Sequence, residues 1–291
     1  MSRGEHDPLG TFGRLWLRLV CLLVPSLGLL LAGCGEPVAT PEPSYLSVAG
    51  ATEMGTLGTE LAAAFGDQQT TVSLEVTAPG TQYGLDALYT GKTDVAMASW
   101  LSSDSPNASG LQLEDRYQAT AIARDGIAIV VHPSNPINGV GLLQLQDLFG
   151  GRVYDWQGVM ALAPEGEVVV VSREAGSGTR AAFESLVMQD QRITPRAIVK
   201  TSPQSVVDYV ASHPAAIGYV SMASVGVGVK VLRIEGELPT PETAAQGSYA
   251  LSRELWMVTA DPPSAAAGQF LDFVLSPAGQ EIVGRQFGRI R

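Results

Sequence analysis

The sequence predicts an α/β protein whose mainly parallel sheet is flanked by helices. Two observations support this class. From Tyr45 onward, short β-branched runs alternate with helical patterns, which is typical of strands joined through helical crossovers. The chain also has 291 residues, 45% of them hydrophobic, which suffices for a sizeable core in one large domain or two linked lobes.

The predicted strands are short and rich in β-branched residues. In chain order they are Tyr45–Ala49, Thr71–Thr77, Asp94–Ala98, Ala119–Ala123, Ile127–His132, Glu167–Ser172, Ala197–Lys200, Ala216–Val220, Val229–Ile234 and Leu255–Thr259. The predicted helices lie between them and are Met54–Phe65, Gly84–Thr90, Leu142–Phe149, Thr179–Met188, Pro203–His213, Ser264–Leu275 and Pro277–Gln286. Two polar segments, Ser102–Gly110 and Glu235–Gln246, are predicted to be exposed loops.

Charge and composition exclude several function classes. The chain carries 18 Lys and Arg against 29 Asp and Glu, a formal net charge of −11. The scattered basic residues form no cationic stripe, so we expect no nucleic-acid partner. Two cysteines cannot build a disulfide framework, and three well-separated histidines offer no metal-ligand spacing. We therefore expect no metal and no cofactor.

The amino terminus has the features of a secretory signal peptide over residues 1–33. Three arginines lie within the first 18 residues, and an almost wholly apolar run follows from Leu15 to Leu31. The motif Leu31-Ala32-Gly33-Cys34 resembles the bacterial lipobox, which implies that Cys34 carries a lipid and begins the mature chain. Residues 34–44 then form a short tether.

An uncleaved membrane anchor is the alternative for this segment, although its core, interrupted by Pro25, is short for a spanning helix. Both interpretations place the bulk of the chain at the extracytoplasmic face of a bacterial cell membrane.

Three strand-to-helix turns combine small residues with hydroxyls. They are Gly50-Ala51-Thr52, Pro79-Gly80-Thr81 and Ala175-Gly176-Ser177-Gly178-Thr179. The start of a helix presents unpaired N–H groups and a partial positive charge, so it holds an oxyanion without net cationic charge on the protein. Each turn alone is typical of an ordinary helix cap. Three of them, one preceded by Arg173, indicate that they converge on an anion.

Catalytic motifs are not matched. Ser177 lacks the flanking glycines of a nucleophile elbow, since Ala175 and Thr179 occupy those positions. Neither His132 nor His213 is placed as a base, because each borders a predicted element and precedes a proline. We therefore expect a binding protein and not an enzyme, with a phosphatase-like enzyme on the same architecture as an alternative.

The run from Ser172 to Arg180, with the motif Arg-x-x-Gly-Ser-Gly-Thr-Arg, resembles the anion-binding segment of the phosphate-binding proteins of bacterial ABC importers. The run from Ala215 to Val220 matches a second landmark of that family, and the similarity extends from Tyr45 to Arg291. This resemblance implies a type II periplasmic-binding-protein fold, in which two lobes joined by two hinge crossings close on a ligand.

The implied hinge crossings divide the chain into two lobes. One crossing is expected near Val131-His132-Pro133 and the other near Tyr249-Ala250-Leu251-Ser252. Lobe 1 would comprise residues 45–131 and 251–291, and lobe 2 would comprise residues 132–250.

The resemblance also implies a ligand site. Its residues would be Ala51, Thr52, Gly80, Thr81, Ser99, Arg173, Ser177, Gly178 and Thr179. Thr52, Thr81, Ser177 and Thr179 would donate hydroxyl groups, Gly178 a backbone N–H, and Arg173 a guanidinium able to form two parallel hydrogen bonds.

Two positions depart from the family pattern. Glu53 stands where well-studied members have an aromatic residue, and Trp100 stands where they have an aspartate that accepts the proton of hydrogen phosphate. We hypothesise that Glu53 supplies the missing proton acceptor; the alternative is a carboxylate that only complements the helix dipole. Trp100 either walls the cleft or packs in the core, and Arg180 either reaches the ligand or holds a carboxylate.

The expected function is capture of inorganic phosphate by a lipid-anchored monomer and its delivery to the permease subunits of an ABC transporter. The alternative is a binding protein or sensor for another oxyanion, such as sulfate, arsenate, molybdate or a phosphonate, without a role in transport.

Overall fold

The computed structural model describes residues 44–101, 113, 115–161 and 166–290. The predicted signal peptide, the lipidation at Cys34, nearly all of the tether and the predicted loop Ser102–Gly110 lie outside the described residues. No helix among the residues described is both long and apolar enough to span a bilayer.

Strands and helices alternate along the described chain, as predicted for the α/β class. The strands are β1 Ser44–Gly50, β2 Val72–Thr77, β3 Val95–Ala98, β4 Tyr117–Val131, β5 Gly139–Val140, β6 Val169–Arg173, β7 Ile198–Lys200, β8 Ala216–Ser221, β9 Lys230–Val231, β10 Arg233–Ile234 and β11 Ser252–Ala260. The helices are α1 Gly55–Gln68, α2 Thr81–Tyr89, α3 Leu142–Gly150, α4 Gly178–Phe183, α5 Pro203–Ser212, α6 Pro241–Gln246, α7 Ala265–Leu275 and α8 Pro277–Val283. Short 3₁₀ turns cover Thr52–Met54, Trp156–Gly158 and Met222–Ser224, and a π-helical turn, Glu184–Met188, continues α4.

Nine of these strands form a mixed sheet in the order β2-β1-β3-β11-β4-β8-β6-β7, with β9 also paired to β4. Strands β5 and β10 pair with each other in a separate two-stranded sheet. Strands β1, β2 and β3 are parallel, and so are β6, β7 and β8, whereas β11 and β4 run antiparallel to their neighbours. Strand β3 is buried along its whole length because helices cover both faces of the sheet.

Strand β4 passes through the middle of the sheet and changes partners on the way. Residues Tyr117–Gly126 pair with β11, and Ile127–Val131 pair with β8. The sequence predicts two strands here, at Ala119–Ala123 and Ile127–His132. The structure corrects this to one continuous strand, because the residues between the two predicted strands also pair, Asp125 with Arg253 and Gly126 with Ser252.

Two large hydrophobic clusters lie on either side of that change of partner. One is built on β1 and β11 with helices α1, α7 and α8, and includes Leu46, Leu61 and Phe270. The other is built around helices α3 and α4 with the end of β4, and includes Ile129, Phe149 and Phe183. Ring packing of Phe149, Phe183 and Tyr219 consolidates the second cluster.

Two further predictions need correction. The predicted loop Glu235–Gln246 contains helix α6, which Thr240 caps through a hydrogen bond from the Thr243 N–H and which begins with Pro241. The last long strand begins at Ser252 and not at Leu255, because its antiparallel pairing with β4 starts there. The second correction places Arg253 inside the sheet.

Candidate functional site

The three predicted turns lie side by side at the ends of β1, β2 and β6. The Gly80 N–H donates to the Gly50 carbonyl oxygen at 2.8 Å, which joins the first turn to the second. The Gln82 N–H donates to the Gly176 carbonyl oxygen at 3.4 Å, which joins the second to the third. Gly80 and Gly176 adopt φ angles of +134° and +85°, which side chains disfavour, so glycine shapes both turns.

Thr81, Ser99 and Gly178 come together where these turns meet. The Oγ atoms of Thr81 and Ser99 lie 3.2 Å apart, and the Ser99 N–H donates to Thr81 Oγ1 at 3.2 Å. A Cβ at Gly178 would lie 2.5 Å from Thr81 Oγ1 and closer still to Ser99 Oγ. Only glycine allows the start of α4 to approach the two hydroxyl groups this closely.

Glu53 and Thr179 meet beside these hydroxyl groups. The Thr179 hydroxyl donates to Glu53 Oε1 at 2.7 Å, and both side chains are buried. This contact connects the turn after β1 with the start of α4, although the two residues are 126 positions apart. We call Glu53, Thr81, Ser99, Gly178 and Thr179 the turn cluster.

Arg173 is buried at the end of β6, with 1% of its surface exposed. Its Nε and Nη2 atoms donate to the two carboxylate oxygens of Glu174, each at 2.9 Å. Its third nitrogen, Nη1, is buried without a hydrogen-bond partner in the part of the chain that the structure describes. An unsatisfied buried donor is costly, so a further acceptor at this nitrogen would be stabilising.

Arg253 ties the turn cluster to the middle of the sheet. Its Nη2 atom donates to Glu53 Oε1 at 2.9 Å, to Thr179 Oγ1 at 3.0 Å and to Asp125 Oδ2 at 2.7 Å. The Nε atom adds a second bond to Asp125, and the Ser221 hydroxyl donates to the other Asp125 oxygen at 2.8 Å. One guanidinium therefore stands between two buried carboxylates.

The pKa values of the two carboxyl groups shift in opposite directions. Burial raises the pKa of Glu53, but the Arg253 guanidinium and hydrogen bonds from Ser99 and Thr179 outweigh burial and bring it below its ordinary 4.5. Burial raises the pKa of Asp125 above its ordinary 3.8, and Arg253 offsets this only in part. Glu53 is accordingly a carboxylate at neutral pH.

The other residues of the predicted site have more local contacts. The Ala51 N–H donates to the Met97 carbonyl oxygen at 2.8 Å, so it pairs with the sheet. Thr52 is half-buried and begins the 3₁₀ turn after β1. Ser177 caps α4 by accepting a hydrogen bond from the Arg180 N–H at 3.3 Å, which leaves its own hydroxyl proton to donate.

Arg180 and Trp100 flank the predicted site. The Arg180 guanidinium binds Glu184 at 2.9 Å and the Arg173 carbonyl oxygen at 3.0 Å, so it holds a carboxylate, one of its two predicted roles. Trp100 is buried, with 4% of its surface exposed, and its indole Nε1 has no hydrogen-bond partner within the described ranges.

Sequence reasoning missed Arg253 and Asp125. Both residues lie within predicted or neighbouring strand segments, where charged residues usually face solvent. The only hint in the sequence is where the two residues stand. Asp125 separates two predicted strands, and Arg253 directly follows the expected second hinge crossing. Neither observation reveals that the two side chains are paired and buried.

The assembled site can hold an oxyanion. It combines hydroxyl groups, the first N–H groups of α4 and the buried guanidinium of Arg173, all of which donate hydrogen bonds. Glu53 adds an acceptor among these donors. The two guanidiniums, Arg173 and Arg253, lie among three carboxylates, Glu53, Asp125 and Glu174, so the site has no large excess of positive charge.

Comparison with known proteins identifies relatives. The family model described as "PBP superfamily domain" matches residues 37–278. The phosphate-binding protein PstS of Borreliella burgdorferi is 22% identical over 253 residues, covering 83% of this chain and 88% of that protein. The phosphate-binding protein PstS of Staphylococcus epidermidis is 30% identical over 216 residues, covering 69% of this chain and 65% of that protein.

A solved structure shares the fold over most of both chains. It is a Clostridium perfringens protein described as a phosphate ABC transporter substrate-binding protein, with bound phosphate. The TM-score is 0.75 at 28% identity, and the match covers 85% of this chain and 100% of that one. The predicted class of fold, an α/β fold of the type II periplasmic-binding-protein kind, is confirmed by these matches.

Proposed function

The chain belongs to the PBP superfamily, and on this premise we propose that it is a solute-binding protein that captures inorganic phosphate and delivers it to an ABC transporter. Relatives named as phosphate-binding proteins and a structural neighbour with bound phosphate support the proposal. The single observation that carries it is the buried Nη1 of Arg173, which has no hydrogen-bond partner among the described residues. It lies at the end of a strand whose following turn meets two other donor-rich turns.

The chemistry of these donors suits a tetrahedral oxyanion. The hydroxyls of Thr52, Thr81 and Ser177 and the Gly178 N–H donate to it, with Ala51 and Gly80 shaping the turns and Ser99 supporting Thr81. Thr179, expected from the sequence as a further donor, gives its single hydroxyl proton to Glu53 and so positions that carboxylate beside the ligand. Arg173 contributes a charge-assisted bond, and bonds of this kind contribute about 1.5–3 kcal/mol each. Binding needs no chemical step on the ligand, so the proposed role is not enzymatic.

Glu53 is the proposed proton acceptor that distinguishes phosphate from sulfate. Its ionised carboxylate receives hydrogen bonds from Thr179, Arg253 and Ser99. An ionised carboxylate can only accept hydrogen bonds, so a ligand oxygen that approaches it must bring a proton, as hydrogen phosphate does. Sulfate carries no proton at neutral pH, so its oxygen would face the Glu53 carboxylate with like charge.

Closure of two lobes, residues 45–131 with 251–291 and residues 132–250, is the proposed mechanism of capture. The Glu53–Thr179 hydrogen bond joins residues assigned to different lobes, and the change of partner along β4 lies close to the proposed crossing. A ligand that binds donors from both lobes has higher affinity for the closed form, and this difference drives closure.

An extracytoplasmic location, with a lipid on Cys34 as membrane anchor, completes the proposal. The tether would hold the loaded protein near the permease subunits of the transporter. Mass spectrometry of the membrane-bound protein tests the anchor, since a lipidated amino-terminal fragment beginning at Cys34 is expected and an unmodified thiol would contradict it.

Calorimetry on the purified protein tests phosphate binding itself. We expect the unsubstituted protein to bind inorganic phosphate saturably. Arg173→Lys should lower the affinity at least about tenfold, because one lysine ammonium cannot both pair with Glu174 and contact the ligand. The matched control is Arg196→Lys, at an exposed arginine that pairs with Glu167. Absence of binding by the unsubstituted protein, or equal affinities of both variants, would overturn the proposal.

A further inference from the structure

Arg253 and Asp125 stand opposite each other in the register of β11 and β4. Their side chains form a buried ion pair, in which Arg253 Nη2 and Nε lie 2.7 and 3.0 Å from Asp125 Oδ2. The next register pair, Glu254 with Arg124, forms an ion pair of 3.6 Å in which both side chains are more than a third exposed. Successive residues of a strand face opposite sides of a sheet, so one ion pair lies in the interior and its neighbour at the surface.

The buried ion pair is not needed to hold these two strands together. Backbone pairing with β4 already runs along the whole of β11, from Ser252 to Ala260. Replacing a buried ion pair by well-packed uncharged residues is often neutral or stabilising, because both charges must be taken out of water. The other contacts of Arg253 point to a second role.

Arg253 brings a positive charge into direct contact with Glu53. Its Nη2 atom donates to Glu53 Oε1 at 2.9 Å and to Thr179 Oγ1 at 3.0 Å. Thr179 in turn donates to the same carboxylate oxygen at 2.7 Å. Ser99 and Thr179, the other side chains that hydrogen-bond to Glu53, are uncharged. Among the described residues, Arg253 is therefore the cation that contacts Glu53.

Glu53 depends on this charge to remain ionised. Burial favours the neutral form of a carboxyl group and raises the pKa of Glu53, whereas Arg253 and the hydrogen bonds lower it to below its ordinary 4.5. The other charged groups nearby are Asp125, which shares the same guanidinium nitrogen, and Arg173, which pairs with Glu174. Without Arg253, hydrogen bonds from uncharged groups would be left to oppose burial, and Glu53 would take up a proton at a higher pH.

The protonation state of Glu53 decides which anions can approach it. An ionised carboxylate only accepts hydrogen bonds, whereas a protonated carboxyl group carries an O–H that can donate one. Sulfate brings no proton, so it meets repulsion at an ionised Glu53 and a hydrogen-bond donor at a protonated one. Loss of the charge on Glu53 would therefore open the site to sulfate.

We propose that Arg253 is a positioning residue for Glu53, which it holds as an ionised acceptor at the ligand site so that sulfate is rejected in acidic as well as neutral surroundings. The inference rests on the proposed function and adds a residue that determines its specificity. Arg253 acts through Glu53 and does not itself contact the ligand. Asp125 fixes the guanidinium, helped by the Ser221 hydroxyl, which donates to Asp125 Oδ1 at 2.8 Å.

Sulfate calorimetry on two variants of the full mature protein isolates the charge of Arg253. Both carry Asp125→Asn, which removes the titration of Asp125, and one also carries Arg253→Gln, so that a neutral pair replaces the ion pair. Affinities are compared at about pH 5 and about pH 8, both above the ordinary pKa of a glutamic acid. We expect Asp125→Asn alone to reject sulfate at both pH values.

The double variant should bind sulfate at least about tenfold more tightly at the lower pH, because a neighbouring cation ordinarily lowers the pKa of a carboxyl group by about 1–3 and this effect is removed. A merely structural role of Arg253 predicts a different result, since a loosened fold would weaken binding at both pH values alike. Adding Glu53→Gln to the double variant should abolish the pH dependence, because no carboxyl group is then left to titrate at that position.

The exposed neighbouring ion pair provides the matched control. Arg124→Gln with Glu254→Gln removes one positive and one negative charge from the same two strands and should keep sulfate rejection at both pH values. Arg253→Met with Asp125→Leu is a second, apolar replacement of the buried pair and should give the same pH-dependent sulfate binding as the neutral polar pair.

The outcomes separate the two proposals. Phosphate binding by the unsubstituted protein, together with equal sulfate affinity of the double variants at the two pH values, would overturn the inference and leave the proposed function standing. Failure of both double variants to fold would show that the strands themselves require the ion pair, and would overturn the inference as well. Absence of phosphate binding by the unsubstituted protein would overturn the proposed function, and the inference with it.

Discussion

The carboxylate of Glu53 and the guanidinium of Arg253 lie 2.9 Å apart in the interior, although 200 positions separate the two residues. Their side chains are 3% and 0% exposed, and the same guanidinium also holds Asp125. This arrangement joins the turn after β1, the change of partner on β4 and the start of β11. If Glu53 contacts the ligand as proposed, binding and stability depend on the same group of charges.

Removing Arg253 should destabilise the protein strongly. Arg253→Gln leaves Glu53 and Asp125 buried without their counter-ion, and breaking a buried pair in this way costs about 3–5 kcal/mol of unfolding free energy. Urea unfolding measures the loss. Arg196→Gln, which breaks the exposed pair with Glu167, should cost about 0–1 kcal/mol, and equal losses in the two variants would contradict a buried ionic role for Arg253.

The contribution of Glu53 to stability should depend on pH. Because the pKa of Glu53 is lowered in the folded state, its ionised form stabilises the fold above its ordinary pKa of 4.5, and this stabilisation is lost as pH falls through the lower folded value. The difference in unfolding free energy between the unsubstituted protein and Glu53→Gln should therefore shrink as the pH is lowered below 4.5.

The charge of Glu53 contributes to the raised pKa of Asp125, so the two titrations are coupled and the comparison is made with Asp125→Asn in both proteins. A gap between the two unfolding free energies that stays constant, or widens, on acidification would show that the pKa of Glu53 is not lowered by folding.

Selectivity between phosphate and sulfate should also depend on Glu53. In Glu53→Gln the like-charge repulsion of sulfate disappears and an amide replaces the proton acceptor, so sulfate affinity should rise relative to phosphate affinity by about tenfold or more. Competition calorimetry with the two anions measures the ratio. Glu184→Gln is the control, because that carboxylate pairs with Arg180. Unchanged sulfate rejection in Glu53→Gln would remove Glu53 from the selectivity mechanism.

Gly178→Ala should abolish or severely weaken phosphate binding. The added methyl group would press on Thr81 Oγ1 and Ser99 Oγ, so the start of α4 would have to move away from the other two turns. Gly66→Ala is the matched control, since a methyl group at this position of α1 meets no atom within 4 Å. That control should retain binding and gain up to about 1 kcal/mol of stability. Equal phosphate affinity in the two variants would contradict the close approach at Gly178.

Much of the fold follows from local patterns. β-Branched runs predict most of the strands, because strand and turn preferences depend on a few neighbouring residues. The helix after the third turn was predicted from Thr179 and begins at Gly178, whereas the helix after the second turn was predicted from Gly84 and begins at Thr81. The predicted break within β4 was wrong for the same reason. Asp125 and Gly126 disfavour a strand locally, but antiparallel pairing with Ser252 and Arg253 continues the sheet through them.

Local sequence was also enough to identify the three turns and Arg173 as candidates for an oxyanion site. Only long-range packing decided that Glu53 meets Thr179, that Gly178 meets Thr81 and Ser99, and that Arg253 and Asp125 belong beside them. Which residue pairs with a buried charge depends on which strands lie side by side in the fold. Because an unpaired buried charge is costly, such residues are found in pairs, but the two members are too far apart in the sequence for a local pattern to show the pairing. Periodicity and capping act over one or two turns of chain, whereas these contacts span 74 to 200 residues.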